Sequence, residues 1–380
     1  MRFDHRGRHE FLSLLLLIAA LSACAADDEP GLHQPPPPLR MDVPRQKLML
    51  DDGMARMLIG QARSRFAALM PVANNPNNPV TDAKVNLGRQ LYYETRLSKS
   101  QTLSCNSCHD LASYGVDVRQ VGGKTSMGHA GAFGDRNSPT VYNAALHFSQ
   151  FWDGRAADVE EQAKGPILNP VEMAMPSEAA TVGVLKSIPG YQPLFEAAFP
   201  EDKKPISYDN MARAIGAFER KLITPSRFDA FLGGQLDALS MEEQRGLAVF
   251  MQAGCVTCHN GPALGGGMFQ KLGLLKPYPT EDVGRAQATG KEEDKFFFKV
   301  PSLRNIEKTA PYLHDGSIAT LEEMVKLMAE YQIPKGNLSE GETADVLAFL
   351  RALTGELPKA YIAPPPPLPA GPNTPAPKLD

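Results

Sequence analysis

The amino-acid sequence predicts a mainly α-helical protein made of two related domains that pack against each other. Three observations support this fold class. Apolar residues recur at helical spacing along the middle of the chain, a five-residue cysteine–histidine motif occurs twice, and no run of alternating apolar and polar residues indicates a strand. A length of 380 residues predicts two to three domains.

Residues 1–23 are typical of an export signal, because a basic start is followed by an apolar run too short to span a bilayer. The run ends in Leu21-Ser22-Ala23-Cys24, which resembles a bacterial lipobox, in which the cysteine becomes the acylated first residue. Ordinary cleavage at Ala23-Cys24-Ala25 also fits the small-residue rule for such sites. We expect the chain to be processed as a lipoprotein, and with either kind of cleavage it leaves the cytoplasm.

Proline-rich segments lie at both ends of the chain. Residues 24–46 contain Pro35-Pro36-Pro37-Pro38 and cannot form a core, so we interpret them as an extended tether. Residues 361–380 have a similar composition and are expected to be a tail that is disordered or lies along the surface.

The segment between these ends has the pattern of consecutive helices. Apolar residues lie at helical spacing in residues 47–70, 82–97 and 208–223. Three later helices are predicted from capping boxes, in which a Ser or Thr is followed three residues later by a Glu; these begin at Ser240, Thr320 and Ser339.

We place a domain boundary near Pro225. It divides the helical segment into an N-terminal domain of residues 47–225 and a C-terminal domain of residues 226–360. Each domain then contains one copy of the repeated motif. Gly and Pro punctuate residues 115–140 and 260–280, which are therefore predicted to be long loops.

The repeated motif has the form C-x-x-C-H, in residues 105–109 and again in residues 255–259. Two thiols at this spacing can form thioethers to one porphyrin, and the adjacent histidine can bind its iron. A redox dithiol is expected in a βαβ unit, and paired zinc motifs lie closer together in the sequence. The sequence therefore predicts two covalent haems c, attached through Cys105, Cys108, Cys255 and Cys258, with His109 and His259 as proximal ligands.

The second axial position of each iron decides its chemistry. In the N-terminal domain His129 is flanked by Gly128 and Gly131, so it could move onto or off an iron; a solvent-exposed loop histidine fits the same spacing. In the C-terminal domain Met324 and Met328 lie on a predicted helix and could be either ligands or core residues.

His314 competes with the two methionines for the same role. The formal net charge of −4 gives no indication of nucleic-acid binding.

Over residues 80–355 the chain resembles the bacterial di-haem cytochrome c peroxidases. The resemblance rests on both haem motifs and on further blocks: Gly134-Asp135-Arg136-Asn137-Ser138-Pro139-Thr140, Gln150-Phe151-Trp152-Asp153-Gly154-Arg155-Ala156, Glu161-Gln162-Ala163, Asn169-Pro170-Val171-Glu172-Met173, Val300-Pro301-Ser302-Leu303-Arg304-Asn305 and Thr309-Ala310-Pro311-Tyr312-Leu313-His314-Asp315-Gly316.

This resemblance implies two cytochrome c-like haem domains with different tasks. The N-terminal haem is expected to be peroxidatic, with His129 as a displaceable ligand and with Gln162 and Glu172 handling protons. The C-terminal haem is expected to accept electrons, with Met328 as its sixth ligand. Trp152 is expected to lie between the haems as an electron stepping stone.

The resemblance also implies further partners. Asn137, Thr309 and Pro311 are expected to supply oxygens to one Ca²⁺ at the domain interface. The substrate is expected to be hydrogen peroxide, and the electron donor a small cytochrome c or cupredoxin. We expect the protein to lie in the periplasm and to be attached to the outer membrane through lipid on Cys24. The family is often dimeric, so this chain could form a homodimer.

Two alternatives belong to other classes. One is a related di-haem oxidase that modifies a partner protein; in the maturation enzyme of that kind a Tyr replaces the Met ligand, whereas this chain has Met328 at the matched position. The other is a plain di-haem electron-transfer protein, in which Glu172 and Gln162 would have no role.

Overall fold

The computed structural model describes residues 52–119 and 125–378. The predicted export signal (1–23), the predicted tether (24–46) and the predicted lipid-attachment residue Cys24 lie outside the described residues. No helix in the described part of the chain is both long enough and apolar enough to cross a membrane.

Nearly all of the regular secondary structure in the described ranges is helical, which confirms the predicted fold class. The α-helices there are α1 (Asp52–Arg63), α2 (Asp82–Tyr92), α3 (Cys105–Cys108), α4 (Val159–Leu168), α5 (Glu178–Ser187), α6 (Tyr191–Ala198), α7 (Tyr208–Glu219), α8 (Arg227–Leu232), α9 (Met241–Gln252), α10 (Ala286–Thr289), α11 (Leu321–Gln332) and α12 (Glu340–Ala352). Short 3₁₀ turns lie at Thr95–Leu97, Leu111–Ser113, His129–Gly131, Ala144–Leu146, Leu236–Ala238, Cys255–Thr257, Glu292–Asp294 and Ile306–Lys308.

A small antiparallel sheet adds to the helices. Strand β1 (Phe269–Lys271) pairs with β2 (Phe297–Lys299), and Gln270 lies opposite Phe298. The sequence did not indicate these strands, because three residues are too few to show an alternating pattern.

Local sequence signals explain where several helices begin. The capping boxes of α9, α11 and α12 are formed as predicted: the hydroxyl of Ser240, Thr320 or Ser339 accepts a backbone N–H, and the Glu three residues later accepts the N–H of the cap residue. Such a cap stabilises a helix by about 1 kcal/mol. The helices predicted from apolar spacing are shorter than expected, and α4, α5, α6, α8 and α10 were not predicted.

Two helix pairs repeat the same contact. In α2, a Cβ added to Gly88 would come within 1.9 Å of the Ala214 carbonyl oxygen of α7. In α9, a Cβ added to Gly246 would come within 1.9 Å of the Asp345 carbonyl oxygen of α12. Each haem motif therefore follows a helix whose glycine touches the backbone of a later helix.

The buried apolar residues form two main clusters, which we call the first core and the second core. The first core contains residues of α2 and α4–α7, and the second contains residues of α8, α9 and α12. Helix α1 belongs to the second core, through Leu58, Ile59 and Ala62. The proline-rich tail lies along the surface of the first core, where Ile362 is buried. The division near Pro225 stays a prediction.

Candidate haem centres

The first motif forms the short helix α3. Ser104 and Ser107 cap it reciprocally through side chain and backbone. Tyr92 of α2 donates its hydroxyl to the His109 carbonyl at 2.8 Å, which joins the motif to the first core. Cys105 and Cys108 are free thiols, and both are therefore available for thioether formation.

The second motif follows α9 and begins with a 3₁₀ turn at Cys255–Thr257. Gly254 precedes it with a φ of 95°, a left-handed conformation that glycine adopts without strain. Nδ1 of His259 lies 3.2 Å from the Leu264 carbonyl, an arrangement that leaves Nε2 for an iron. Burial lowers the pKa of His259 to about 4, so the ring is neutral, as a metal ligand must be.

His129 is buried, with 6% of its surface exposed. Neither of its ring nitrogens has a hydrogen-bond partner among the described residues. It is therefore not the solvent-exposed loop histidine that the sequence left open. Burying two unpartnered nitrogens is costly, and coordination to an iron would satisfy one of them.

The loop of His129 packs directly on the loop of Glu172. The His129 N–H donates to the Glu172 carbonyl at 2.8 Å. A Cβ on Gly128 would come within 2.0 Å of the Val171 carbonyl oxygen, whereas one on Gly131 would meet nothing within 4 Å. Of the two flanking glycines, Gly128 thus permits a close contact and Gly131 has free space around it.

Glu172 ends a turn that begins at Asn169. The Asn169 amide donates to Oε1 of Glu172 at 2.8 Å. Burial raises the pKa of the Glu172 carboxyl, against the opposing effects of that hydrogen bond and of the charge of Arg155. Gln162 is half-buried on α4, and no hydrogen bond joins it to Glu172 in the described structure.

Trp152 lies in a separate apolar cluster. Its indole N–H donates to the Asn137 carbonyl at 2.9 Å. Its ring packs against the group formed by Leu272, Phe298 and Leu313, and so do Met324 and Met328. The sequence-predicted tryptophan and both candidate methionines are therefore brought to the same place.

His314 borders this cluster. Its ring stacks on Phe298 at a centroid distance of 4.3 Å, and its Nε2 lies 3.3 Å from the Thr280 hydroxyl. The candidate ring nitrogen of His314 thus already has a polar partner within the protein.

Two of the three candidate calcium residues lie together. The side-chain amide of Asn137 donates to the Pro311 carbonyl at 2.7 Å, and both residues line a cavity of about 310 Å³. The Thr309 hydroxyl donates instead to the Ile306 carbonyl at 3.3 Å. The described residues contain no group of three acidic, cysteine or histidine side chains placed for a metal, but carbonyl and amide oxygens are ligands of a different kind.

Arg119 is a residue that sequence reasoning missed. Its guanidinium donates to the Met127 carbonyl at 2.8 Å and to the Cys108 sulfur at 3.3 Å, and it pairs with Asp117. It therefore joins the first motif to the loop that carries His129. A single arginine outside any motif gives no sequence signal for this role.

Comparisons with known proteins show the family to which the chain is similar. Residues 82–237 match the model of a family described as di-haem cytochrome c peroxidase. The chain is 44% identical over 304 residues to the cytochrome c551 peroxidase of Nitrosomonas europaea, covering 77% of this chain and 89% of that protein. It is 42% identical over 287 residues to the cytochrome c551 peroxidase of Pseudomonas aeruginosa, covering 74% and 81%.

A solved structure has the same fold. It is described as a MauG-like protein associated with microbial copper homeostasis, and it superimposes with a TM-score of 0.70 at 32% identity, covering 78% of this chain and 97% of that chain.

Proposed function

The chain belongs to the di-haem cytochrome c peroxidase family, and from this premise we propose that it reduces hydrogen peroxide to water with electrons from a small periplasmic cytochrome c or cupredoxin. One observation carries the proposal: the buried, unpartnered imidazole of His129 lies on a loop hydrogen-bonded to Glu172, a carboxyl with a raised pKa. A displaceable ligand beside a proton carrier is what peroxide reduction requires.

The residues present fit two haems c. The free thiols of both motifs can form the thioethers, and Nε2 of His259 is left free by the hydrogen bond that Nδ1 makes to Leu264. When bound, the haems supply the electrons and the redox chemistry of peroxide cleavage. The protein supplies ligation, pocket polarity and proton transfer.

Glu172 is the proposed proton carrier. Its Oε1 is held by Asn169, which fixes the orientation of the carboxyl group, and burial keeps its pKa above the ordinary value for glutamate. A carboxyl of this kind can take a proton from peroxide and return it to the departing oxygen. Gln162, half-buried on α4, is proposed to orient the peroxide.

His129 is proposed to leave its iron before peroxide binds. The free space around Gly131 supports a movement on that side, while Gly128 keeps the contact to Val171. Arg119 holds the start of the same loop through Met127.

The C-terminal haem is proposed to accept electrons, with Met328 as its sixth ligand. Met328 packs in the same cluster as Trp152, which supports a role for the tryptophan between the haems. The polar contact of His314 to Thr280 favours a methionine over this histidine as the ligand.

A Ca²⁺ site at Asn137, Thr309 and Pro311 is also proposed. The contact between the Asn137 amide and the Pro311 carbonyl, at the edge of a cavity, supports it. We further propose the division into haem domains near Pro225, export to the periplasm, lipid attachment through Cys24 to the outer membrane, and a homodimer as the assembly to test first.

A second candidate function is oxidation of a partner protein by a MauG-like enzyme, which the likeness to the solved structure favours. In the maturation enzyme of that kind a Tyr replaces the methionine ligand. Met328 in this chain therefore favours the peroxidase.

The test is turnover of hydrogen peroxide by the full holoprotein with a reduced cytochrome c or cupredoxin as donor. We expect stoichiometric oxidation of the donor, two per peroxide, together with a change of the N-terminal haem spectrum on half-reduction. Electron exchange with the donor but no peroxide consumption would instead indicate the electron-transfer protein.

A further inference from the structure

A buried basic pair has no role in the mechanism described above. Lys299, on β2, is 6% exposed, and its Nζ lies 3.1 Å from Nδ1 of His147. His147 follows the 3₁₀ turn Ala144–Leu146. Its other ring nitrogen, Nε2, is buried and has no hydrogen-bond partner among the described residues.

The pair has no acidic partner within the described ranges. Burial alone lowers the pKa of Lys299 to about 8, and no carboxylate offsets this effect. Burial and the charge of Lys299 together hold the pKa of His147 well below its usual value. The pair therefore carries about one positive charge at neutral pH, on the lysine. A buried charge without a counter-ion is costly, so this position favours an anion.

The pair adjoins the loop that orients the proximal histidine of the second motif. The His147 ring lies close to Gly266, where an added Cβ would come within 2.2 Å of Cδ2. Leu264, in the same loop, accepts the hydrogen bond from His259. On the lysine side, the Lys299 N–H donates to the Trp152 carbonyl at 2.7 Å.

The unused donors of the pair suit a carboxylate. Because Nδ1 of His147 accepts from Lys299, the neutral ring carries its proton on Nε2, which is then a donor without an acceptor. The ammonium group of Lys299 retains further N–H donors. Together they offer one positive charge and hydrogen bonds from two side chains, which is a strong carboxylate-binding combination.

We propose that His147 and Lys299 bind a propionate carboxylate of the C-terminal haem. A covalently attached haem brings two propionates, and the His147 ring lies against the loop that contains Leu264, whose carbonyl orients His259. This site requires only that the haem is attached, not that peroxide is turned over. The inference and the proposed peroxidase activity can therefore fail independently.

The site should raise the reduction potential of that haem, because a nearby positive charge favours the reduced iron. In Lys299→Gln we expect the ferrous-to-ferric ratio of the C-terminal haem to fall about tenfold at a fixed potential, a downward shift of about 59 mV. His147→Leu should lower the ratio less, since the lysine charge remains. Lys299→Arg should retain the parent ratio.

The measurement is a spectroelectrochemical titration of both haems in the full-length holoprotein. The matched control is Lys295→Gln, at a lysine four positions earlier whose side chain is 41% exposed, and it should change neither potential. An unchanged C-terminal haem in Lys299→Gln, or a shift confined to the N-terminal haem, would overturn the assignment.

An experimental structure of the parent holoenzyme provides a second test that does not depend on any variant folding. We expect Nζ of Lys299 within about 3.2 Å of a propionate oxygen of the C-terminal haem. A propionate that contacts neither Lys299 nor His147 would overturn the proposal.

Discussion

At the scale of single residues, Glu172 decides whether the N-terminal haem pocket can move protons. Glu172 is half-buried, its carboxyl is held by Asn169, and burial raises its pKa. Glu172→Gln keeps the size and the hydrogen-bond capacity but removes the proton carrier. We expect both haems to be retained while donor oxidation falls by about a hundredfold or more.

The matched control is Glu161→Gln. Glu161 lies on α4 with 52% of its side chain exposed and should leave turnover unchanged. Steady-state oxidation of a reduced donor measures both variants. Normal turnover in Glu172→Gln would remove this residue from the mechanism.

His129 is the second residue with a sharp prediction. Its two buried nitrogens have no partner in the described structure, so one of them is available to bind an iron. His129→Gly should allow the fully oxidised enzyme to bind peroxide at once, as seen by stopped-flow absorbance. Ala130→Gly changes the same loop at a position with a φ of 53° without removing the imidazole, and it should still need half-reduction. If both variants need half-reduction before they bind peroxide, His129 is not the ligand that blocks the site.

The third prediction separates two methionines that pack against the same cluster. A thioether ligand raises the potential of a haem, so Met328→Leu should lower the potential of the C-terminal haem. Met324→Leu should leave both potential and spectrum unchanged. A redox titration of each variant distinguishes them, and the opposite pattern would assign the ligand to Met324.

The sequence could predict the residues that covalent chemistry fixes. The spacing of the cysteines and histidines in both motifs follows from attachment to one porphyrin, so it is visible without a structure. Arg119, His147 and Lys299 could not be predicted, because their partners are backbone carbonyls or residues distant in the chain. For His129, burial distinguishes between two interpretations that the sequence left open.

At the scale of elements, the duplicated motif is matched by a duplicated helix contact. Gly88 of α2 and Gly246 of α9 each approach the backbone of a later helix so closely that a Cβ cannot fit. Sequence reasoning found the starts of α9, α11 and α12, because capping is local. It did not find these glycine contacts, which depend on tertiary packing.

The glycine contact of α9 gives the fourth prediction. Gly246→Ala places a methyl group 1.9 Å from the Asp345 carbonyl oxygen, so the helices must separate. We expect a loss of about 1–3 kcal/mol in the free energy of unfolding. Gly183→Ala in α5 meets open space and should instead stabilise by about 0.5–1 kcal/mol. Denaturant unfolding of both holoproteins gives the comparison; equal stabilities would contradict the close contact of α9 and α12.

At the scale of the whole molecule, both ends of the described chain pack away from their neighbours in sequence. Helix α1 precedes the first core but packs in the second, where Phe66 meets Phe228 at a ring-centroid distance of 5.5 Å. The tail follows the second core but packs on the first. The composition of the tail predicts that it is either disordered or lies along the surface, and it lies along the surface of the first core. Apolar spacing in the sequence does not identify the core on which a segment packs.

The last prediction concerns the tail, whose first residues pack on the first core. Tyr361 stacks on Phe218 at a centroid distance of 5.1 Å and donates its hydroxyl to the Phe218 carbonyl at 2.7 Å. Further along, the Gln101 side chain donates to the Pro375 carbonyl at 2.8 Å, so the contact extends almost to the end of the chain. These contacts join the tail to α7 and to the segment that directly precedes the N-terminal haem motif.

Ile362 and Pro364 provide a matched test of the contact between the tail and the first core. Ile362 is buried in the first core, whereas Pro364, two positions later, is exposed. Ile362→Ala should lower the free energy of unfolding by about 2–5 kcal/mol, and Pro364→Ala should change it by no more than about 0.5 kcal/mol. Removing residues 357–380 should destabilise more than either substitution, because Phe218 and Tyr93 then lose their cover. Thermal unfolding of the holoproteins measures all three variants. A truncated chain as stable as the parent would mean that the tail contacts the first core without stabilising it.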